Sequence, residues 1–277
     1  MNAEVEAGDV IPLPSVIVSS AGAWFTDAVG FRRFGKFETD LVVDFSVSNR
    51  AALATRLLEL CAVDPEALLP PGHFIELSIG QRIECLLLLA AGGWEKALSV
   101  VFKCQGCGED LELDLTFKEL SDVQREADQI ETVGINLEGR RIEFRKPKGR
   151  DQEAWAGTVF QDELDAATRM ISSLAVTPDF SATLGRDSVS EIERMFEDAD
   201  PLVNFSCQVR CGECDRLNGY RVDLMEAALA MLSRIQTQLI HTIHKMASHY
   251  HWSEADVLAV PEWRRQQYLQ LIEATKK

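Results

Sequence analysis

Two Cys-x-x-Cys pairs constrain this chain more than anything else in its sequence: Cys104-Gln-Gly-Cys107 and Cys211-Gly-Glu-Cys214. Four thiolates on two tight turns satisfy a tetrahedral zinc ion with no position left open, which is the ligand set of a structural site. Glycine stands beside a cysteine in both turns, at Gly106, Gly108 and Gly212. Such turns need backbone that can reach positive φ, which glycine does at no steric cost. The flanks alternate apolar and polar residues as half-buried strands do. Leu98–Lys103 and Leu111–Phe117 frame the first pair; Val203–Val209 and Tyr220–Leu224 frame the second. Two hairpins with cysteine knuckles at their tips describe a zinc ribbon.

The knuckles are separated by 103 residues, against roughly 15–20 in a compact ribbon. Closing the longer loop costs only about 1.6 kcal/mol more. A structural zinc ion contributes on the order of 10–16 kcal/mol, so the separation marks an insertion and not an obstacle. The competing reading is two unrelated reduced pairs, one of them redox-active. A thioredoxin-like pair follows a strand and opens a helix, and neither pair here does. Of the other cysteines, Cys61 and Cys85 sit in apolar helical stretches and read as core. Cys207 shares an inward face with Phe205 and Val209, and is the candidate substitute ligand.

The expected fold class is α+β: a mostly helical protein around a split four-cysteine zinc ribbon, with an α/β insertion between the knuckles. Residues 1–97 form an N-terminal tail and helical region, and 98–117 with 202–224 the ribbon. Residues 118–201 form the insertion, and 225–277 a C-terminal helical region. The first ~30 residues, with Pro12, Pro14 and Ser19-Ser-Ala-Gly22, read as extended or mobile. Asn49 caps a helix from Arg50 to about Val63, and Ser78 with Gln81 forms a capping box for a helix through Leu89, closed by Gly92-Gly93. Within the insertion, Thr132–Arg145 reads as a hairpin about Glu138-Gly139. A helix from Asp151 to roughly Val176 follows, then one capped by Ser188 and Glu191 that ends before Pro201. Leu224 to about Ser248 has apolar residues at helical spacing, in excess of one stripe. Ser253 and Asp256 cap a short helix, and Pro261 opens a last one ending near Ala274.

Charge narrows the function classes. The 277 residues carry a formal net charge of −16, so nucleic acid or an anionic membrane is approached only through a local basic patch. The one dense basic cluster is Arg140, Arg141, Arg145, Lys146, Lys148 and Arg150, read either as the solvated face of a hairpin or as a nucleic-acid patch. The longest apolar run, Cys85–Ala91, is far short of the ~20 residues that span a bilayer. The acidic start Met1–Glu6 has no signal-peptide form, and the expected location is cytoplasmic. His241, His244, His249 and His251 cluster in sequence, but no Glu sits between the first two as in a zincin helix. They read as a helix end interacting with the last carbonyls. Asp162 and Glu163 are neighbours that point apart on a helix, and no phosphate loop or nucleophile elbow is found. The expectation is a non-enzyme with no small-molecule substrate.

Several stretches together resemble one family. They are Arg50–Leu60, Leu77-Ser-Ile-Gly-Gln-Arg82 with its leucine run, and Cys104-x-x-Cys-Gly-Glu-Asp-Leu-Glu-Leu113. Arg145-Lys-Pro-Lys-Gly-Arg-Asp151, the second knuckle leading to Val222-Asp-Leu, and the closing run from Ile243 to Leu269 complete the set. In this order they look like the baseplate hub assembly chaperone family of T-even-type phages and related contractile tail and injection systems. The likeness spans about residues 50–275, and its most specific part is 244–269. It departs over the first ~45 residues and at His251, where a glycine is expected. The resemblance implies a non-enzymatic protein that helps build, or joins, the hub of a contractile-tail baseplate, binding a hub or other tail protein. The candidate partner-binding residues are His244, Tyr250, Trp252, Trp263, Arg264, Arg265 and Tyr268. The alternative is a zinc-ribbon nucleic-acid binder using segment 140–150.

Overall fold

The helix with the leucine run, α5 (Ile79–Ala91), is buried along nearly its whole length and organises the molecule. The computed structural model describes residues 10–20, 29–137, 139–178, 180 and 184–274. The acidic start and the turn residue Glu138 lie outside the described residues.

Ahead of α5 come β1 (Val10–Pro12), α1 (Ser15–Ser20), β2 (Gly30–Arg32), α2 (Glu38–Leu41), α3 (Arg50–Cys61), β3 (Ala62–Val63) and α4 (His73–Glu76). After it come β4 (Ala97–Lys103) and β5 (Asp110–Thr116), then α6 (Phe117–Ala127), β6 (Thr132–Leu137), β7 (Arg140–Arg145), α7 (Gly149–Ala156), α8 (Glu163–Leu174) and α9 (Arg186–Ala199). The second knuckle lies between β8 (Ser206–Arg210) and β9 (Leu217–Arg221), and α10 (Leu224–Tyr250), α11 (Glu254–Ala259) and α12 (Glu262–Ala274) follow. The fold is α+β, about half helical, with four small antiparallel sheets among the described residues.

The predicted caps form. Asn49 accepts from the Ala52 N–H, and the Ser78–Gln81 and Ser253–Asp256 boxes are both closed. Other expectations are corrected. The described part of the N-terminal segment is not loose: β2 pairs with both β1 and β3, and Ile11, Leu13, Ile17 and Val18 are buried. Pro14 starts α1 by accepting from the Ile17 and Val18 N–H groups. The helix expected over 151–176 is two, because α7 ends at Gly157 and Asp162 caps α8 anew through the Asp165 N–H. The helix α9 opens at Gly185, not at Ser188. Strand β8 begins later than Val203, after a turn over 201–204.

Among the described residues three cores result, apart from the knuckles. The main one joins β1–β3, α3, α5, the ribbon base and the start of α10. The insertion has its own, with Ile135, Phe144, Leu174 and Ile192 at its centre. A third holds the far end of α10 against α11 and α12.

The insertion docks on α5 through two of the stretches that carry the family resemblance. Ser78 and Lys148 form an antiparallel bridge, with the Ile79 N–H donating to Pro147 O (3.1 Å) and the Gly149 N–H to Leu77 O (3.1 Å). Beneath them Arg82 is fully buried and donates to Ala51 O (2.7 Å), Thr55 Oγ1 (2.6 Å) and Gln152 Oε1 (3.3 Å). Two residues further along α5, on the other side of the helix, Glu84 accepts from Ser121 Oγ, and burial pushes its carboxyl up to about 8.

His251 explains the glycine expected at its position. It ends α10 in the left-handed region, at φ 56°, donating its N–H to Ala247 O. A side chain there carries a strain that glycine avoids. His251→Gly is therefore expected to stabilise the protein by about 0.5–1 kcal/mol, read as a raised denaturant midpoint at unchanged slope.

Candidate metal centre

The knuckles meet. The Sγ atoms of Cys104, Cys107, Cys211 and Cys214 all lie within 4.8 Å of one another. The cross-hairpin pairs Cys104–Cys214 and Cys107–Cys211 are each 3.6 Å apart. A tetrahedral metal with metal–sulfur bonds near 2.3 Å sets sulfurs about 3.8 Å apart, so the cage is of the size that holds a zinc-sized ion. Among the described residues these cysteines are the one such group of three or more His, Cys, Asp or Glu.

Both knuckles use the same local chemistry. The Cys104 N–H donates to Glu109 O and the Gly108 N–H to Cys104 O; the Cys211 N–H donates to Arg216 O and the Asp215 N–H to Cys211 O. The residue after each second cysteine is left-handed, Gly108 at φ 78° and Asp215 at φ 58°. Positive φ is thus needed at Gly108 but not at Gly106 or Gly212, and in the second knuckle an aspartate takes the strained position. Gly106 matters for space: a Cβ there would lie 3.3 Å from Cys214 Sγ and 3.0 Å from Arg216 Cδ.

The hairpins remain separate sheets, so side chains tie them. Asn218, buried in β9, accepts from the Gln105 N–H (3.0 Å) and donates to Arg216 O (2.9 Å), fixing each knuckle to the other. Tyr220 donates to Lys103 O (2.9 Å) and stacks on Phe102 at 4.2 Å between ring centroids. Spacing gives no sign of Asn218; the alternation over Tyr220–Leu224 marks a strand but does not name Tyr220's partners in the first hairpin.

The thiols are prepared for a cation. Hydrogen bonds from the Cys107 and Gly106 N–H groups pull Cys104 down to about 6. The Glu109 N–H favours the Cys107 thiolate, yet sharing with Cys211, burial and the other thiols push Cys107 up to about 12. Four neighbouring thiolates need a cation to coexist. Cys207 lies outside the cage, half-buried against the main core.

The histidines stay apart from this centre: His241, His244, His249 and His251 are exposed. Tyr250, Trp252 and Tyr268 form one half-buried aromatic cluster with centroids 5.2–5.4 Å apart. Trp263 is 64% exposed, and His244 and Arg264 are also on the surface. Arg265, unlike Trp263 and Arg264, is turned inside at 6% exposure.

The basic segment is a solvated face only in part: Arg140, Arg141 and Arg150 are exposed, Arg145 and Lys148 half-buried and Lys146 buried. Arg145 pairs with Asp151 through two bonds (2.6 and 2.9 Å), Lys148 and Arg150 both reach Glu76, and Arg141 reaches Glu143. Lys146 is buried on Ala127 O (2.7 Å), and Arg140 donates to Pro178 O. Among the described residues no helix is long and apolar enough to cross a membrane.

No protein-family model matches this chain, and the searches of curated proteins and of solved structures found no match.

Proposed function

We propose that this chain is a non-enzymatic assembly factor or component of a contractile-tail baseplate hub. Zinc in the four-thiolate cage holds its two hairpins together. The ion has four protein ligands and no open position, so it supplies folding energy and not chemistry. With the ribbon base in the main core, the clamp fixes the N-terminal helical layer against α10. The composite surface, completed by the aromatic end of α10 and α12, holds a hub protein until it oligomerises.

One observation carries this reading. Residues 77–82 and 145–151, on which the family resemblance partly rests, pair backbone to backbone although far apart in sequence. Those residues then serve a shared frame, as an assembly protein requires. The nucleic-acid alternative is less favoured because Arg145 is tied to Asp151, Lys146 is buried on Ala127 O and Lys148 reaches Glu76, which leaves Arg140, Arg141 and Arg150 as the exposed cations of the cluster.

The test is co-expression with the tail proteins of the same locus. The full chain is expected to be recovered with a hub protein and to support hub assembly. Deleting 252–269 is expected to abolish assembly while one zinc per chain is retained. Normal assembly by that truncation overturns the role given to the segment. Retention of DNA or RNA with steep salt dependence, and no hub protein, favours the alternative.

A further inference from the structure

In a chain of net charge −16, one cavity is lined by four cations and a single acid. It measures about 300 Å³ and lies where the C-terminal end of α5 meets α10 and α12. The cations are Arg33, Lys36, Lys96 and Arg265, and the acid is Glu262. That acid is already shared, since its carboxylate stands 4.0 Å from Lys36 Nζ.

Arg265 is the informative member. It is 6% exposed, and its Nη1 is withdrawn from solvent with no hydrogen-bond partner. A guanidinium keeps its proton at any physiological pH. Glu262 is the one acid that acts on this guanidinium, and it is shared with Lys36. A buried charge so weakly compensated is costly, so the arrangement favours a further anion. The remaining wall includes Phe34, Ile235 and Leu239. Gln238, Thr242 and Gln266 complete a mostly polar lining with one apolar side, and a space of this size exceeds what a bare inorganic anion fills. A planar carboxylate matches the guanidinium fork.

We propose that this cavity binds an organic carboxylate, its charged end on Arg265 and its apolar body against Phe34, Ile235 and Leu239. The site requires no tail protein and does not depend on the hub reading.

The test is thermal melting of the full metal-loaded chain with N-acetyl-leucine, N-acetyl-leucinamide and inorganic phosphate. The acid is expected to raise the melting temperature saturably, by mass action on the folded state, and the amide to leave it unchanged. Arg265→Met is expected to melt no lower than the parent without ligand, because it replaces a buried, weakly compensated charge with an apolar chain. It is expected to weaken the acid about 10- to 100-fold, the loss of charge-assisted hydrogen bonds. Equal effects of acid and amide, no effect of either, or an undiminished response in Arg265→Met overturns the proposal. Phosphate acting as strongly as the acid overturns the carboxylate assignment. Should Arg265→Met not fold, the acid–amide comparison on the parent chain decides.

Discussion

Cys211→Ser is expected to take bound metal from one ion per chain to almost none, and to lower the melting temperature by about 10 °C or more. Cys211 is buried, 1% exposed, and its sulfur touches that of Cys107 across the hairpins. A serine hydroxyl does not replace a thiolate toward zinc, and three ligands do not close the cage. Folding of small zinc modules gains on the order of 10–16 kcal/mol from the ion. Here the base of each hairpin is also held by the main core, so part of that energy is retained when the tips separate. A loss of several kcal/mol remains, and each costs about 2–4 °C in a chain of this size. Elemental analysis and calorimetry on the same sample read both effects. Cys207→Ser is the control: outside the cage, it is expected to keep the full metal content. Undiminished metal in Cys211→Ser contradicts the assignment.

Gly149→Ala is expected to destabilise the protein by about 3–5 kcal/mol without loss of metal. A Cβ at Gly149 would lie 2.0 Å from Arg82 Nη1 and 2.9 Å from its Cδ. Arg82 cannot swing away: it is fully buried and held by Ala51, Thr55 and Gln152. The insertion must lift off, or the guanidinium must abandon its acceptors. Gly80→Ala acts on the same seam from the other side, since its Cβ would lie 1.8 Å from Asp200 Oδ1. Asp200 is itself buried and accepts from the Gly80 N–H and from Gln124. The double variant should cost less than the two single effects added, because both open one interface. Denaturant midpoints measure this, and a cost below about 1 kcal/mol for Gly149→Ala contradicts the docking.

What could be read from the sequence was local or spaced by rule. Asn49, Ser78 with Gln81, and Ser253 with Asp256 sit where cap chemistry alone puts them, and the four cysteines announce their common partner by residue type. What could not be read depends on partners far along the chain. Arg82 and Glu84 look like a polar edge within a leucine run, yet both are interior because Thr55, Gln152 and Ser121 arrive from other elements. The cations of 140–150 look like a surface cluster until Glu76 and Asp151 meet them. The N-terminal strands are too short for a period-two signal. Asn218 gives none at all, being one buried amide whose role exists only once the knuckles touch.

The central claim is that one ion joins hairpins made far apart in the chain, through four sulfurs and nothing else. X-ray absorption at the zinc edge of the purified full chain tests it most directly. Four sulfur scatterers near 2.3 Å, at one zinc per chain, are the result expected of the proposed zinc centre. A shell containing imidazole nitrogen or bound water, or a chain that carries no zinc when folded, contradicts it.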